Sequence, residues 1–181
     1  MKNNNSKDLF LVIGSNSFSG ADFVHYLLRQ GHEVIGISRS EQPHPAFLPY
    51  ASDKLDKFSF FQLDLNADLD AIMDLINERR PRYVVNFAAQ SMVAQSWDFP
   101  DHWYMTNTVS MVQFHDRLRH CDFLKKYVHI STPEVYGSCS GLVSENVSYE
   151  PSTPYAISRA AADMSLMSFY KAYNFPVVFT R

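Results

Sequence analysis

The segment from Gly14 to Gly20 has residue types and spacing suited to holding the pyrophosphate of a dinucleotide. It follows a short apolar run and opens a helical pattern, in a chain with only six glycines. Gly14 can make the tight turn, Gly20 can let helix and strand pack closely, and helix N-terminal amides can face the phosphates. Ser17 replaces the usual middle glycine, and either narrows the approach or offers a hydroxyl to the phosphate. The turn residues expected to contact the cofactor are Gly14, Asn16, Ser17, Phe18 and Gly20; an ordinary glycine-bearing loop is the alternative.

The residues after the second predicted strand bear on the choice of nicotinamide cofactor. NAD-selective Rossmann sites carry Asp or Glu there to bind the ribose hydroxyls, whereas NADP sites carry Arg. This chain has Ser38 and Arg39, which suit hydrogen bonding and ion pairing to a 2′-phosphate. A solvated surface cation is the alternative for Arg39. The pattern favours NADP, and NAD stays open.

Asp64 closes the third predicted strand and precedes Leu65. Its carboxylate is a candidate acceptor for the adenine amino group, with Leu65 beside the same cofactor. A helix N-cap or turn role is the alternative for Asp64.

Six short runs rich in β-branched and aromatic residues predict the strands that position these groups. They are Leu9–Ile13, Glu33–Ile37, Phe58–Leu63, Tyr83–Phe87, Tyr127–Ser131 and Val177–Thr180. Helical spacing alternates with them at Phe18–Gln30, around Leu69–Ile76, at Tyr104–His120 and at Tyr155–Tyr173. The proline-bearing segment 40–57 predicts an irregular surface excursion. This alternation predicts an α/β fold: a Rossmann-type, doubly wound parallel sheet with helices on both faces.

Composition narrows the function classes. The 181 residues carry a net charge of −3, so no basic surface is expected for a nucleic-acid partner. The first apolar run is five residues long, too short for a signal-peptide core or a membrane span. Two cysteines, Cys121 and Cys139, stand at no metal or redox spacing. We therefore expect a cytoplasmic protein with no membrane partner.

Several segments, in order, resemble the extended short-chain dehydrogenase/reductases that modify nucleotide sugars. The segments are Asn86–Ser91, Asn107, Ser131–Gly137, Pro154–Arg159 and Thr180–Arg181. The resemblance implies a nucleotide-sugar substrate and further cofactor contacts at Phe87, Ala88, Ala89, Asn107, Tyr155 and Arg159. It also implies that residues 1–181 form the NAD(P)-binding domain of a longer enzyme whose C-terminal substrate domain is missing here.

The resemblance assigns the catalytic base to Tyr155, with a hydroxyl from Ser131 or Thr132 hydrogen-bonding the reacting sugar oxygen. A tyrosinate can accept a hydroxyl proton if a nearby cation lowers its pKa from about 10. The family has Lys one helical turn later, whereas this chain has Arg159. Its guanidinium keeps the charge but not the compact shape of an ammonium.

Glu134 distinguishes branches of that family. A 4,6-dehydratase needs a carboxylate to take the C5 proton and to help expel the C6 hydroxyl, and Thr132 and Glu134 match its Thr-x-Glu segment. Pro133 stands where dTDP-glucose dehydratases have an acidic Asp, so the sugar nucleotide stays open between the dTDP-glucose and GDP-mannose types. A nucleotide-sugar 4-epimerase or a UDP-glucuronate decarboxylase is the alternative enzyme. A non-catalytic dinucleotide-binding module is the alternative of another class.

Two further expectations concern surfaces. The segment Tyr155–Tyr173 has two apolar stripes, and the resemblance implies a homodimer through helices 104–120 and 155–173. The aromatic residues Trp97, Phe99, Trp103 and Tyr104 favour core or interface packing over a stacking platform for a base.

The seven histidines, including His115 and His120, show no metal-ligand spacing, so no metal is expected.

Overall fold

The computed structural model describes residues 7–51 and 55–181. All six predicted strands are present, each within one residue of its expected bounds. They are β1 (Leu9–Ile13), β2 (Glu33–Ser38), β3 (Phe58–Gln62), β4 (Tyr83–Asn86), β5 (Lys126–Ile130) and β6 (Val177–Thr180). The first six residues lie outside the described residues. They belong to the polar start of the chain, where no signal peptide is expected.

The strands form one six-stranded parallel sheet in the order β3-β2-β1-β4-β5-β6. Within it β1 pairs in parallel with both β2 and β4, so Val12 lies opposite Gly36 on one side and Val85 on the other. This strand order confirms the predicted Rossmann-type sheet. The order reverses between β1 and β4, and in open α/β sheets ligands bind at the carboxyl ends of the strands there.

The helices are α1 (Phe18–Arg29), α2 (Leu69–Arg79), α3 (Pro100–Tyr104), α4 (Ser110–Leu118) and α5 (Pro154–Tyr173). The single helix predicted over 104–120 is wrong in detail. It begins earlier, because Pro100 suits a first helical turn, and a π-helical turn at Met105–Val109 separates α3 from α4. The periodic pattern could not reveal that π turn, since it changes hydrogen bonding without interrupting the run of helical residues.

The internal contacts of the chain group it into two compact units. The first comprises Met1–Ala88 and Cys121–Val128, and the second comprises Ala89–His120 and His129–Arg181. Each unit contains one of the two groups of expected site residues: the dinucleotide turn is in the first, and Tyr155 with Glu134 is in the second.

The core of the first unit includes a side chain from the segment expected to be an irregular surface excursion. Tyr50 is buried, packs against Phe58 at 4.8 Å between ring centroids, and joins the cluster around Val12 and Val24. Short 3₁₀ turns at Pro45–Phe47 and Leu55–Lys57 shape the described part of that segment, and residues 52–54 lie outside it. Tyr50 thus anchors part of this segment in the core, which the prolines of the segment did not indicate.

The aromatic cluster of the second unit divides into buried and exposed members. Trp103 is buried as predicted, whereas Trp97 and Phe99 are 63% and 55% exposed. For these two residues, which precede α3, the core half of the expectation is wrong, and interface packing stays a prediction. Phe99 stacks on His102.

Candidate functional site

The turn after β1 requires glycine at its first position for two reasons. Gly14 has a φ of 81°, a conformation that residues with a Cβ avoid, and a Cβ there would lie 2.7 Å from the backbone nitrogen of Ala88. The amides of Gly14 and Ser15 both donate to the carbonyl of Ile37. The turn is therefore tied to the end of β2 and touches the loop after β4, which brings the expected contacts Gly14 and Ala88 together.

Ser17 has a structural role that neither sequence-based alternative anticipated. Its hydroxyl donates to the carbonyl of Gly14 at 2.7 Å and accepts from the amide of Gly20 at 3.1 Å. It is thus the N-cap of α1, and its one hydroxyl hydrogen is used inside the turn. A Cβ on Gly20 would lie 2.2 Å from the same carbonyl, so Gly20 permits the close packing predicted for it.

The beginning of α1 fits the pyrophosphate of a dinucleotide. Phe18 and Ser19 are exposed residues of its first turn, where backbone N–H groups have no acceptor within the helix. No acidic residue stands in that turn. Amide donors and the positive end of the helix dipole therefore face outward at the end of β1.

Asn16 and Ser38 connect this turn to the residues after β2. Asn16 donates from its side chain to the carbonyls of Ser40 and Glu41, and its amide donates to the buried Ser38 hydroxyl at 3.0 Å. Arg39 follows with an exposed side chain. The bonds from Asn16 to both neighbours of Arg39 thus place Arg39 next to the turn, and Ser38 already holds Asn16.

Asp64 adopts the turn role that was its alternative. Its carboxylate accepts from the amide of Asn66 at 2.9 Å, and its own amide donates to Asp68 at 2.8 Å. Leu65 is buried. One Asp64 oxygen therefore shapes the loop after β3.

The loop after β4 is held by side-chain amides in both units. Within the first, the buried Asn86 accepts from the amide of Ala88 at 2.9 Å, so it fixes the path of Phe87 and Ala88. Within the second, the buried Asn107 on the π-helical turn holds the main chain of Gln90, accepting from its N–H and donating to its carbonyl. Ala89, between these anchors, is half-buried.

Asn107 also donates to the hydroxyl of Ser158 at 3.0 Å, and Thr108 donates to the Ser158 carbonyl at 2.9 Å. These bonds join the π-helical turn to α5. Because both ends of its amide are engaged by protein groups, Asn107 supports the loop that was expected to pass over the cofactor.

Tyr155 and Arg159 lie one turn apart at the beginning of α5. Thr153 caps the helix, and the amide of Tyr155 donates to the Ser96 hydroxyl at 3.2 Å. Tyr155 is 9% exposed, and Arg159 is buried. The Arg159 guanidinium donates to the carbonyl of Ile130 and lies 3.4 Å from His129 Nε2. The cation therefore reaches the carboxyl end of β5.

The segment after β5 separates the two hydroxyls expected near the reacting oxygen. Ser131 donates to the Asp163 carboxylate at 2.6 Å. Thr132 caps the 3₁₀ turn Pro133–Tyr136 by accepting from the amide of Glu134 at 3.3 Å, which leaves its own proton to donate. Pro133 is exposed at the first position of that turn, and the Glu134 side chain is half-buried.

A buried polar cluster that the sequence analysis missed lies beneath this segment. Asp163 and His129 are fully buried, with His129 Nε2 3.3 Å from Asp163 Oδ1. Burial alone would raise the pKa of the Asp163 carboxyl, but bonds from His129, Ser131 and Tyr149 bring it below its ordinary value. Burial lowers the pKa of His129 despite the nearby carboxylate. The sequence did contain a signal for this cluster. Arg159 and Asp163 are opposite charges four residues apart in an alanine-rich helical segment.

Within residues 7–51 and 55–181, no group of three or more His, Cys, Asp or Glu side chains is arranged to hold a metal ion. In the same part of the chain, no helix combines the length and apolar character needed to cross a bilayer.

The strand order and the glycine turn define a Rossmann-type α/β fold. The family model described as GDP-mannose 4,6 dehydratase matches residues 11–181. The chain therefore belongs to this family, among the extended short-chain dehydrogenase/reductases, which confirms the resemblance seen in its motifs.

Relatives with different activities match at similar levels. The chain is 29% identical to the dTDP-glucose 4,6-dehydratase of Xanthomonas campestris pv. campestris (strain B100), covering 94% of this chain and 51% of that one. It is 31% identical to the UDP-glucose 4-epimerase of Mycolicibacterium smegmatis, covering 91% and 52%. The solved dTDP-glucose 4,6-dehydratase of Streptomyces venezuelae, with NAD and TYD bound, has a TM-score of 0.85 and 28% identity, covering 96% and 55%. The chain spans about half the length of the curated relatives it matches.

Proposed function

We propose that the intact protein is an NADP-dependent nucleotide-sugar 4,6-dehydratase. The observation that carries this proposal is the 3₁₀ turn Pro133–Tyr136, which contains the half-buried Glu134. Thr132 caps this turn by accepting from the amide of Glu134, and its hydroxyl still has a proton to donate. Tyr155 and Arg159 lie in the same compact unit. Such a set supplies a tyrosine base and a hydroxyl donor for oxidation at C4, and a carboxylate for the loss of water across C5–C6.

Residues of the first unit would hold the cofactor. The pyrophosphate would bind at the amides that begin α1, beside Gly14 and Gly20. Arg39 would pair with a 2′-phosphate, which is the reason for proposing NADP, although the Streptomyces venezuelae structure contains NAD. When bound, the nicotinamide supplies the acceptor and later the donor of hydride.

In the first step Tyr155 acts as the base that takes the proton of the C4 hydroxyl, and Thr132 donates a hydrogen bond to the same oxygen. Arg159 contributes positive charge from the next turn of α5. The Arg159 guanidinium donates to the Ile130 carbonyl, and this bond holds it in place. Arg159 therefore acts through its positive charge.

In the second step Glu134 acts as base and then as acid. Its carboxylate takes the proton from C5 of the 4-keto sugar, and the same proton then leaves with the C6 hydroxyl as water. Pro133 has no proton to give, so one carboxyl group performs both transfers. Hydride return to C6, together with a proton delivered to C5 that balances the one Tyr155 took from the C4 hydroxyl, completes the 4-keto-6-deoxy product.

The test is incubation of the intact protein with dTDP-glucose, UDP-glucose and GDP-mannose, with detection of a 4-keto-6-deoxy product. We expect one of the three to be converted. Bound cofactor without product from any of them would reject the dehydratase proposal.

A 4-epimerase is the second candidate, because the Mycolicibacterium smegmatis epimerase is as similar to this chain as the dehydratases are. Epimerisation needs Tyr155 but no carboxylate at position 134. Glu134→Gln should therefore leave a dehydratase with only a small residual rate of water loss and spare an epimerase.

The exposed apolar side chains of α5 and the π-helical turn support a homodimer. Ile157, Met164, Met105 and Val109 are between 40% and 60% exposed. Exposed apolar surface of this kind is typical of an interface between protein chains. Met164→Glu should shift the protein from dimer to monomer in light scattering, whereas Tyr26→Glu, at an exposed aromatic of α1, should not. The two free cysteines also support the cytoplasm as its compartment.

A further inference from the structure

The Asp163 carboxylate is a fully buried charge with several defined partners, yet the proposed reaction does not use it. Its Oδ2 accepts from the Ser131 hydroxyl at 2.6 Å, from the Tyr149 hydroxyl at 3.0 Å and from the Arg181 guanidinium at 3.1 Å. Buried carboxylates are costly unless they are paired and hydrogen-bonded, and this one is both. It lies on α5, about two turns after Tyr155.

Two of these partners flank the 3₁₀ turn that carries Glu134. Ser131 comes just before Thr132, the N-cap of that turn. Tyr149 returns to it from the following loop, with its ring edge-on to Tyr136 at 5.5 Å between centroids. The neighbouring amide of Glu150 donates to the carbonyl of Val135 at 3.0 Å. One carboxylate on α5 is thus tied to both ends of the Glu134 turn.

We propose that Asp163 is a positioning residue that fixes the Glu134 turn relative to Tyr155, which stands on the same helix. This inference rests on the proposed function, since only there must Glu134 and Tyr155 act on one sugar. Proton transfer needs donor and acceptor within hydrogen-bond reach, and a misplacement of about 1 Å can cost about 100-fold in rate. Ser131 is then part of this support, and Thr132 is the hydroxyl that faces the reacting oxygen.

The first test is Tyr149→Phe in the intact protein, which removes the bond from the Tyr149 hydroxyl to Asp163 and the one it accepts from Arg181, and keeps the ring that packs on Tyr136. We expect the rate of water loss to fall about tenfold, as for one hydrogen bond to a charged group. Hydride transfer to the cofactor, followed by the absorbance of reduced nicotinamide in a single turnover, should keep its rate. Tyr170→Phe, at an exposed tyrosine of α5, is the matched control and should leave both rates unchanged.

The second test repeats Tyr149→Phe in a Glu134→Gln background. Because no carboxylate is then left to position, the residual rate of water loss should not fall further. A tenfold loss in this background as well would overturn the inference, because it would show general loosening of the unit. Equal slowing of hydride transfer and water loss in the Tyr149→Phe protein would overturn it too.

Hydrogen exchange provides a readout that is independent of turnover. In Tyr149→Phe the amide of Glu150 should exchange faster than in the parent, while amides of β1 keep their protection. Unchanged protection of Glu150 would reject the inference and leave the dehydratase proposal standing. If the parent converts no sugar nucleotide, the proposed function fails and the positioning role fails with it, whatever the exchange data show.

Discussion

The Ser17 hydroxyl lies 2.7 Å from the carbonyl oxygen of Gly14 and donates a hydrogen bond to it across the turn between β1 and α1. The same hydroxyl caps α1 by accepting from the amide of Gly20. The position where the usual motif has its middle glycine therefore holds the turn in shape. The Ser17 hydroxyl stabilises the loop, and the backbone amides at the beginning of α1 stay available for the phosphates.

Ser17→Ala should lower the free energy of unfolding by about 1 kcal/mol, because it removes an N-cap hydrogen bond. Ser17→Gly should cost only a few tenths of that, since glycine is tolerated at this position. Urea denaturation followed by circular dichroism measures both. Ser19→Ala, at an exposed position inside α1, is the control and should be near neutral. Equal effects of Ser17→Ala and Ser19→Ala would contradict the capping role.

Gly14→Ala should destabilise the protein more than Gly141→Ala. Both glycines have a positive φ, 81° and 74°, but a Cβ on Gly14 meets the backbone of Ala88 at 2.7 Å, whereas nothing lies within 4 Å of one on Gly141. The φ cost, about 1 kcal/mol, is common to both. The difference in their unfolding free energies therefore isolates the close approach of the two loops. Cofactor binding should weaken in Gly14→Ala alone; equal losses of stability would show that the approach contributes nothing.

The stability of the protein should fall as the pH is lowered through the ordinary histidine range. Burial first, and then the nearby His129 and Arg159, hold the pKa of His115 well below 6.5. The unfolded chain therefore binds a proton at His115 near pH 6.5, whereas the folded protein does not. The contribution of His115 to stability is complete above that pH and is lost as the pH falls below it. Burial lowers the pKa of His129 as well, which adds to the same slope.

Replacing His115 by Gln should reduce that slope by up to one proton, about 1.4 kcal/mol per pH unit. Urea midpoints measured from about pH 7.5 down to about pH 5.5 follow it. Above about pH 7 the variant and the parent should differ only by a constant offset. An unchanged slope below pH 6.5 would contradict the neutral, buried state of His115.

Arg39 should decide cofactor preference. The parent should bind NADPH more tightly than NADH, and Arg39→Ala should lose most of that difference, because it removes the charge next to the turn. Fluorescence titration with the two reduced cofactors measures the ratio. Arg29→Ala, at an exposed arginine at the other end of α1, should leave it unchanged. Tighter binding of NADH by the parent would reject the role assigned to Arg39.

The local elements were predictable because each signal lies within a few neighbouring residues. Runs such as Leu9–Ile13 and Val177–Thr180 are rich in branched aliphatic and aromatic residues, and their bounds were predicted to the residue. The π-helical turn at Met105–Val109 and the burial of Tyr50 could not be predicted in this way. The first depends on hydrogen bonding that leaves the side-chain pattern unchanged, and the second on a distant strand.

The order of residue types was enough to predict the alternation of strands and helices, the glycine turn and the family motifs around Glu134 and Tyr155. The partners of the polar side chains, in contrast, depend on the tertiary structure. Ser17 caps a helix, Asp64 shapes a turn, and Asn107 holds a loop. Asp163 gathers Ser131, Tyr149 and Arg181, which are far apart in the chain. A buried hydroxyl or carboxylate takes whichever partner the fold brings within about 3 Å, and residue type and spacing do not specify that partner.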